Sequence, residues 1–176
     1  MSASSAAALL SALEATWPAA ETLERDGWRL RRGAGGGRRV SAATALSGGA
    51  DIGAAETAMA DWGQTPLFQL RPGDDALDAA LAARGYLAAD PTEIFTADPA
   101  RLLDDKPETV RIIRGPTRIA LIDEIWAKGG VGPTRLAVMD RAPEPKTYIV
   151  ARLGDRPAAV AFVAVAGGIA MIHAVE

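Results

Sequence analysis

The sequence predicts an α+β (or α/β) fold: a mainly antiparallel sheet flanked by helices. Three observations predict it. Thr147–Leu153, Ala158–Val165 and Ile169–Val175 are largely apolar runs, separated only by Gly154-Asp155-Arg156-Pro157 and by Ala166 with the turn Gly167-Gly168. Strands joined by such short turns pair antiparallel. Thr117–Lys128 carries Ile119, Leu121, Ile122, Ile125 and Trp126 mainly on one helical side, and Gly129-Gly130 follows where a helix would end. The preceding residues alternate short helix and strand signals.

In chain order, Ser4 or Ser5 can cap a helix running to Thr16, with Leu9, Leu10 and Leu13 on one face and Pro18 stopping it. Trp28–Arg32 alternates apolar and basic residues, as a half-exposed strand does. Arg39–Leu46 is a second strand candidate. Asp51 opens a short helix to Trp62, where the helix dipole favours an acid. Leu67–Leu70 reads as a short strand. Gly73-Asp74-Asp75 opens a helix through Leu77 and Leu81 that Gly85 closes, and Tyr86–Thr96 returns as one or two strands. Val110–Ile113 is a further strand, and Leu136–Met139 a short strand or a turn.

Composition excludes several classes. The 176 residues are 49% hydrophobic and 23% charged, an ordinary globular balance. With no Cys there is neither a disulfide framework nor thiolate chemistry, and one His leaves no His cluster for a metal, so no metal site is expected. A net charge of -3 disfavours nucleic acid as a general partner. Residues 1–105 carry 9 basic and 15 acidic side chains, whereas 106–176 carry 10 and 7. The change falls at Asp104-Asp105-Lys106-Pro107, a polar stretch suited to a linker, and sets the expected domains at 1–105 and 106–176. No basic residue precedes the first apolar stretch, so a secretory leader is not expected. Pro157–Val175 approaches membrane-span length, but its central Gly pair favours two strands and a turn. The expected setting is cytoplasmic, without membrane contact.

Few residues carry a chemical signal. Gly33-Ala34-Gly35-Gly36-Gly37-Arg38-Arg39 is the Gly-rich stretch. It fits neither dinucleotide nor P-loop spacing and lies between two strand candidates, so a hairpin loop is favoured over a phosphate cradle. The pairs Asp74-Asp75, Asp104-Asp105 and Asp123-Glu124 read as helix-start or solvated acids. Arg29, Arg31, Arg32, Arg38 and Arg39 read as a charged outer face. His173 is suited to general-base work near neutral pH, although a lone His is more often structural. Strict alternation would place it with Met171 and Val175, opposite Ile172, Ala174 and Glu176. Glu176 is the second candidate base.

The run ThrTyrIleValAlaArgLeu, turn, ProAlaAlaValAlaPheValAlaVal, turn, IleAlaMetIleHisAlaValGlu, preceded by the helix at 117–128, resembles the first half of the GNAT family of N-acetyltransferases. TWPAAETLERDGWRLRRGAGGGRR and PLFQLRPGDDALDAALAARGY are similar to the degenerate N-terminal half of two-domain members. The resemblance implies a GNAT-like sheet, acetyl transfer from acetyl-coenzyme A to a small-molecule or peptide amine, and backbone contacts from Ala174 and Val175 to the acyl-pantetheine arm. His173 or Glu176 would take the amine proton. The family's pyrophosphate loop, Q/R-x-x-G-x-G/A, would follow Glu176. The 176 residues are therefore expected to be incomplete as an acetyltransferase and to bind the cofactor poorly by themselves. A catalytically inactive GNAT-fold module acting through assembly is the alternative. A meander cut at its third strand also exposes an edge, from which a homodimer is expected.

Overall fold

The computed structural model describes residues 5–102 and 109–176. It is an α+β protein, about 33% helix and 27% strand, with two antiparallel sheets. The chain divides into two compact units: Met1–Pro18 with Glu93–Glu176, and Ala19–Thr92. The boundary expected at 105/106, and the linker around it, lie outside the described residues. The first helix groups with the C-terminal sheet, not with the residues that follow it.

In the unit Ala19–Thr92, β1 (Glu21–Arg25) and β2 (Trp28–Arg32) form a hairpin, and β3 (Thr44–Ala45) pairs with the start of β2. Trp28, Leu30, Ala43, Met59 and Leu81 pack with α2 (Ile52–Asp61) and α3 (Asp75–Ala83). Asp51 caps α2 through Gly53 N–H at 2.9 Å, as the sequence predicts. The Trp28 indole donates to Asp51 O at 2.8 Å, so the core tryptophan also fixes the start of α2.

Two expected strands contract. Arg39–Leu46 yields a 3-10 turn, Arg38–Val40, and the two residues of β3. Leu67–Leu70 gives a single parallel bridge, Phe68 to Ala43. Tyr86 to Thr96 forms no strand. The expected basic face also needs correction at Arg31, which is 5% exposed and donates to Ala42 O and Thr44 Oγ1 at 2.7 and 2.8 Å. These carbonyl and hydroxyl acceptors offset the desolvation of its guanidinium.

The other unit is built on the sheet β4-β5-β6-β7, antiparallel throughout, from β4 (Val110–Gly115), β5 (Lys146–Leu153), β6 (Arg156–Ala166) and β7 (Ile169–His173). Two helices connect β4 to β5: α5 (Ala120–Lys128) and α6 (Pro133–Arg141). Leu136–Met139 therefore lies inside a helix. Pro133 at its first turn supplies the preset φ that starts α6, a signal stronger than the short apolar run that argued for a strand. The Lys146 ammonium closes the other end, donating to the carbonyls of Met139, Asp140 and Ala142.

One sheet face is buried. Tyr148 and Val150 of β5, Val160, Phe162 and Ala164 of β6, and His173 of β7 line it. Trp126 of α5 meets Tyr148, Tyr148 meets Phe162, and Phe162 meets Trp17, with ring centroids 6.1, 5.3 and 6.2 Å apart. Trp17 follows α1 (Ala6–Thr16), which Ser5 caps through Ala8 N–H and which packs on β6 and β7. On the opposite face Ile112 and Ile172 are 53% and 67% exposed. A short helix, α4 (Pro99–Leu102), precedes β4. Among the described residues, no helix is long and apolar enough to cross a membrane.

Candidate functional site at the end of the last strand

β7 begins after Gly167 and Gly168, whose φ angles of 57° and 75° make a turn that side-chain-bearing residues rarely adopt. It then pairs with β6 in regular register from Ile169 opposite Ala166 to His173 opposite Phe162. The regular strand stops there, two residues before the expected end at Val175. Pairing resumes at Glu176, which exchanges both backbone hydrogen bonds with Val160 at 2.8 and 3.0 Å. Two residues, Ala174 and Val175, thus stand opposite the single Ala161. This is a β-bulge, and Ala174 takes the positive φ of 47° that it demands.

The bulge corrects the alternation expected from the sequence: past His173, odd and even residues no longer mark the two faces. It also changes the use of the backbone. No backbone hydrogen bond ties Ala174 or Val175 to β6. The Ala174 carbonyl instead accepts from the Trp126 indole at 2.8 Å. Trp126, on the apolar side of its helix, is fully buried, and its indole N–H gives it the second task of holding the bulge. Val175 is 64% exposed. The N–H groups of Ala174 and Val175 and the Val175 carbonyl make no backbone hydrogen bond to β6, and such groups can receive an amide-bearing ligand.

Glu176 is exposed and its carboxyl group lies over Gly129, at the end of α5: a Cβ built there would sit 2.3 Å from Oε2. The glycine that ends the helix therefore also leaves space for the carboxylate. His173 lies on the other side of the bulge, 5% exposed and beneath α1. Its ring is 5.0 Å from that of Trp17 and 6.1 Å from that of Phe162. Nε2 is 2.9 Å from Thr16 Oγ1, and that hydroxyl donates its one hydrogen to Ala12 O at 2.7 Å. With its hydrogen on Ala12 O the hydroxyl is an acceptor for the ring, and the hydrogen-bond network assigns the ring proton to Nε2. The structure thus sets Ala174 and Val175 in the bulge, Glu176 re-paired just beyond it, and His173 in the packing that holds the strand.

A second polar cluster escaped the sequence reading. Arg118 pairs with Asp123 at 3.0 Å and with Asp140, and its guanidinium lies 5.7 Å from the centre of the Tyr148 ring. Burial lowers the Arg118 pKa, but the neighbouring carboxylates outweigh it and the net direction is upward. Burial raises that of Tyr148, against the opposing charge of Arg118. The pair joins the entry of α5 to α6 and β5. Its sequence signal is Asp123, which by sequence reads as a helix-start or solvated acid. The Gly-rich stretch is committed internally: Gly33 N–H donates to Gln64 Oε1 at 2.7 Å, and Gly36 N–H to Gly33 O at 2.9 Å.

No family model, curated protein or solved structure matches the chain.

Proposed function

We propose that the sheet β4–β7 is the acyl-thioester-binding half of an N-acyltransferase of the GNAT type, which moves acetyl from coenzyme A to an amine. The single observation that carries this reading is the bulge at Ala174–Val175. It interrupts the last ladder of a β-α-α-β-β-β sheet and leaves the N–H groups of Ala174 and Val175 without a bond to the neighbouring strand. The fit to the ligand is chemical: a pantetheine arm carries two amides that need alternating donors and acceptors, and these bulge groups supply them.

The coenzyme supplies an activated acyl thioester. The chain's own residues do the rest. Val175 N–H donates to the acyl arm and polarises its carbonyl as negative charge develops on oxygen. Trp126 holds the bulge in place through Ala174 O, so the donor is positioned before the ligand arrives. Glu176, exposed beside Gly129, takes the proton of the amine as the amine nitrogen bonds to the acyl carbon, directly or through one water. The carbon–sulfur bond breaks to release the coenzyme thiolate, which takes up a proton from solvent. His173 contributes by fixing β7 to α1, its Nε2 proton being committed to Thr16. The acceptor is a small-molecule or peptide amine, and the setting is cytoplasmic.

The test is a titration of the isotope-labelled protein with S-acetylpantetheine, followed by amide NMR. The amides of Ala174, Val175 and Glu176 should shift in a saturable manner. Val175→Pro removes the donor and should abolish the response while the Phe162 and Tyr148 signals keep their positions. A wild-type spectrum that does not change at these three residues would overturn the reading.

A further inference from the structure

The segment Glu93-Ile94-Phe95-Thr96 is a strand sequence without a strand. Ile, Phe and Thr favour pleated backbone, yet residues 87–98 take no regular secondary structure. Phe95 is 88% exposed and Ile94 37%. In the same compact unit, β4 has one ladder neighbour, β5, and its other edge is unpaired among the described residues. On that edge strand Arg111, Ile112, Ile113 and Arg114 are all exposed, the two isoleucines by 53% and 45%. Among the described residues neither arginine forms an ion pair, and neither does Glu93. An open edge and an unpaired strand sequence in one molecule are two halves of one interaction.

The two sequences are complementary in one antiparallel register. With Glu93 opposite Arg114, Ile94 meets Ile113, Phe95 meets Ile112, and Thr96 meets Arg111. Asp98 then stands diagonally from Arg111. Opposite charges and apolar pairs directly across a ladder are both favourable. Self-pairing of β4, in the register that matches Ile112 with Ile113, instead sets Arg111 opposite Arg114 and is disfavoured by like charge. The segment of the same copy leaves the edge bare. We propose that the outer edge of β4 receives Glu93–Thr96 of a second copy, and that reciprocal exchange gives a two-fold dimer with the arginines as register keys. This differs from the last-strand edge expected from the sequence and leaves the bulge after His173 free. It does not rest on the acyl-transfer reading.

Sedimentation velocity of the full chain over a concentration series tests it, with far-ultraviolet circular dichroism showing that each variant is folded. The wild-type chain should pass from monomer to dimer as concentration rises. Arg114→Glu should weaken the dimer about tenfold, because two symmetric cross-strand pairs turn from attraction to repulsion. Glu93→Arg alone should do the same, and the double variant Glu93→Arg/Arg114→Glu should restore association. Ile172→Lys, on β7, should leave the dimer intact. A chain that stays monomeric at every concentration, a dimer indifferent to the charge swaps, or one abolished by Ile172→Lys would each overturn the proposal.

Discussion

His173 is the residue at which chemistry and packing are hardest to separate from sequence alone. A lone imidazole on a strand near a candidate site invites a catalytic role. Its surroundings give it another: Trp17 and Phe162 on either side, α1 above, and a hydroxyl that is an acceptor for its ring. The energetic consequence can be measured. Thr16→Val keeps the shape but removes the acceptor of a buried donor, a change that costs about 1–3 kcal/mol. Thr16→Ser keeps the acceptor and loses one methyl group, costing about 1 kcal/mol. Urea unfolding of the two variants should therefore rank Val as the more damaging, the reverse of what methyl burial alone would give. Nitrogen NMR of the His173 ring should show the proton on Nε2.

At the scale of elements, the contact between Tyr86 and α2 has a pH signature. The Tyr86 hydroxyl donates to Glu56 Oε1 at 2.8 Å, and Arg84 pairs with the other carboxylate oxygen at 3.0 Å. Burial first, then the Glu56 carboxylate, push the phenol up from 10.0 to about 12. The folded state thus holds the phenolic proton more tightly than the unfolded state. Its stabilising contribution is complete below pH 10 and is lost as pH rises through 12. Stability should fall across that window in the wild-type chain and fall less steeply in Tyr86→Phe, with phenolate absorbance reporting the titration.

The elements also show what was readable. Gly turns, the Ser5 and Asp51 caps and the apolar stripe of Thr117–Lys128 are local signals, and the helices and the meander they predicted are present. The expected strands at Arg39–Leu46 and Tyr86–Thr96 depended on partners that local composition cannot supply. A strand is completed by its neighbour, and where the neighbour is short or lacking the same residues remain a turn or an irregular chain. The bulge belongs to this second kind. Neither Ala174 nor Val175 marks it by side-chain type. It arises because Glu176 re-pairs with Val160 and Trp126 takes the Ala174 carbonyl, two contacts made across the sheet.

Over the whole molecule, the order of the chain is not the order of its compact units. α1 and Trp17 belong with a sheet whose last strand lies 157 residues further on, measured from Thr16 to His173. Closing so long a loop costs entropy that only the completed contact returns, so α1 should dock onto a sheet already formed. The unit Ala19–Thr92 has its own core around Trp28 and Met59. Deleting residues 1–18 should therefore act selectively. Hydrogen exchange should show β6 and β7 amides losing protection, because Phe162 and His173 are uncovered, while amides of β2 and α2 keep theirs. Equal loss in both units would mean that they fold as one cooperative body. Unchanged protection in β6 and β7 would mean that α1 adds no stability to the sheet it covers.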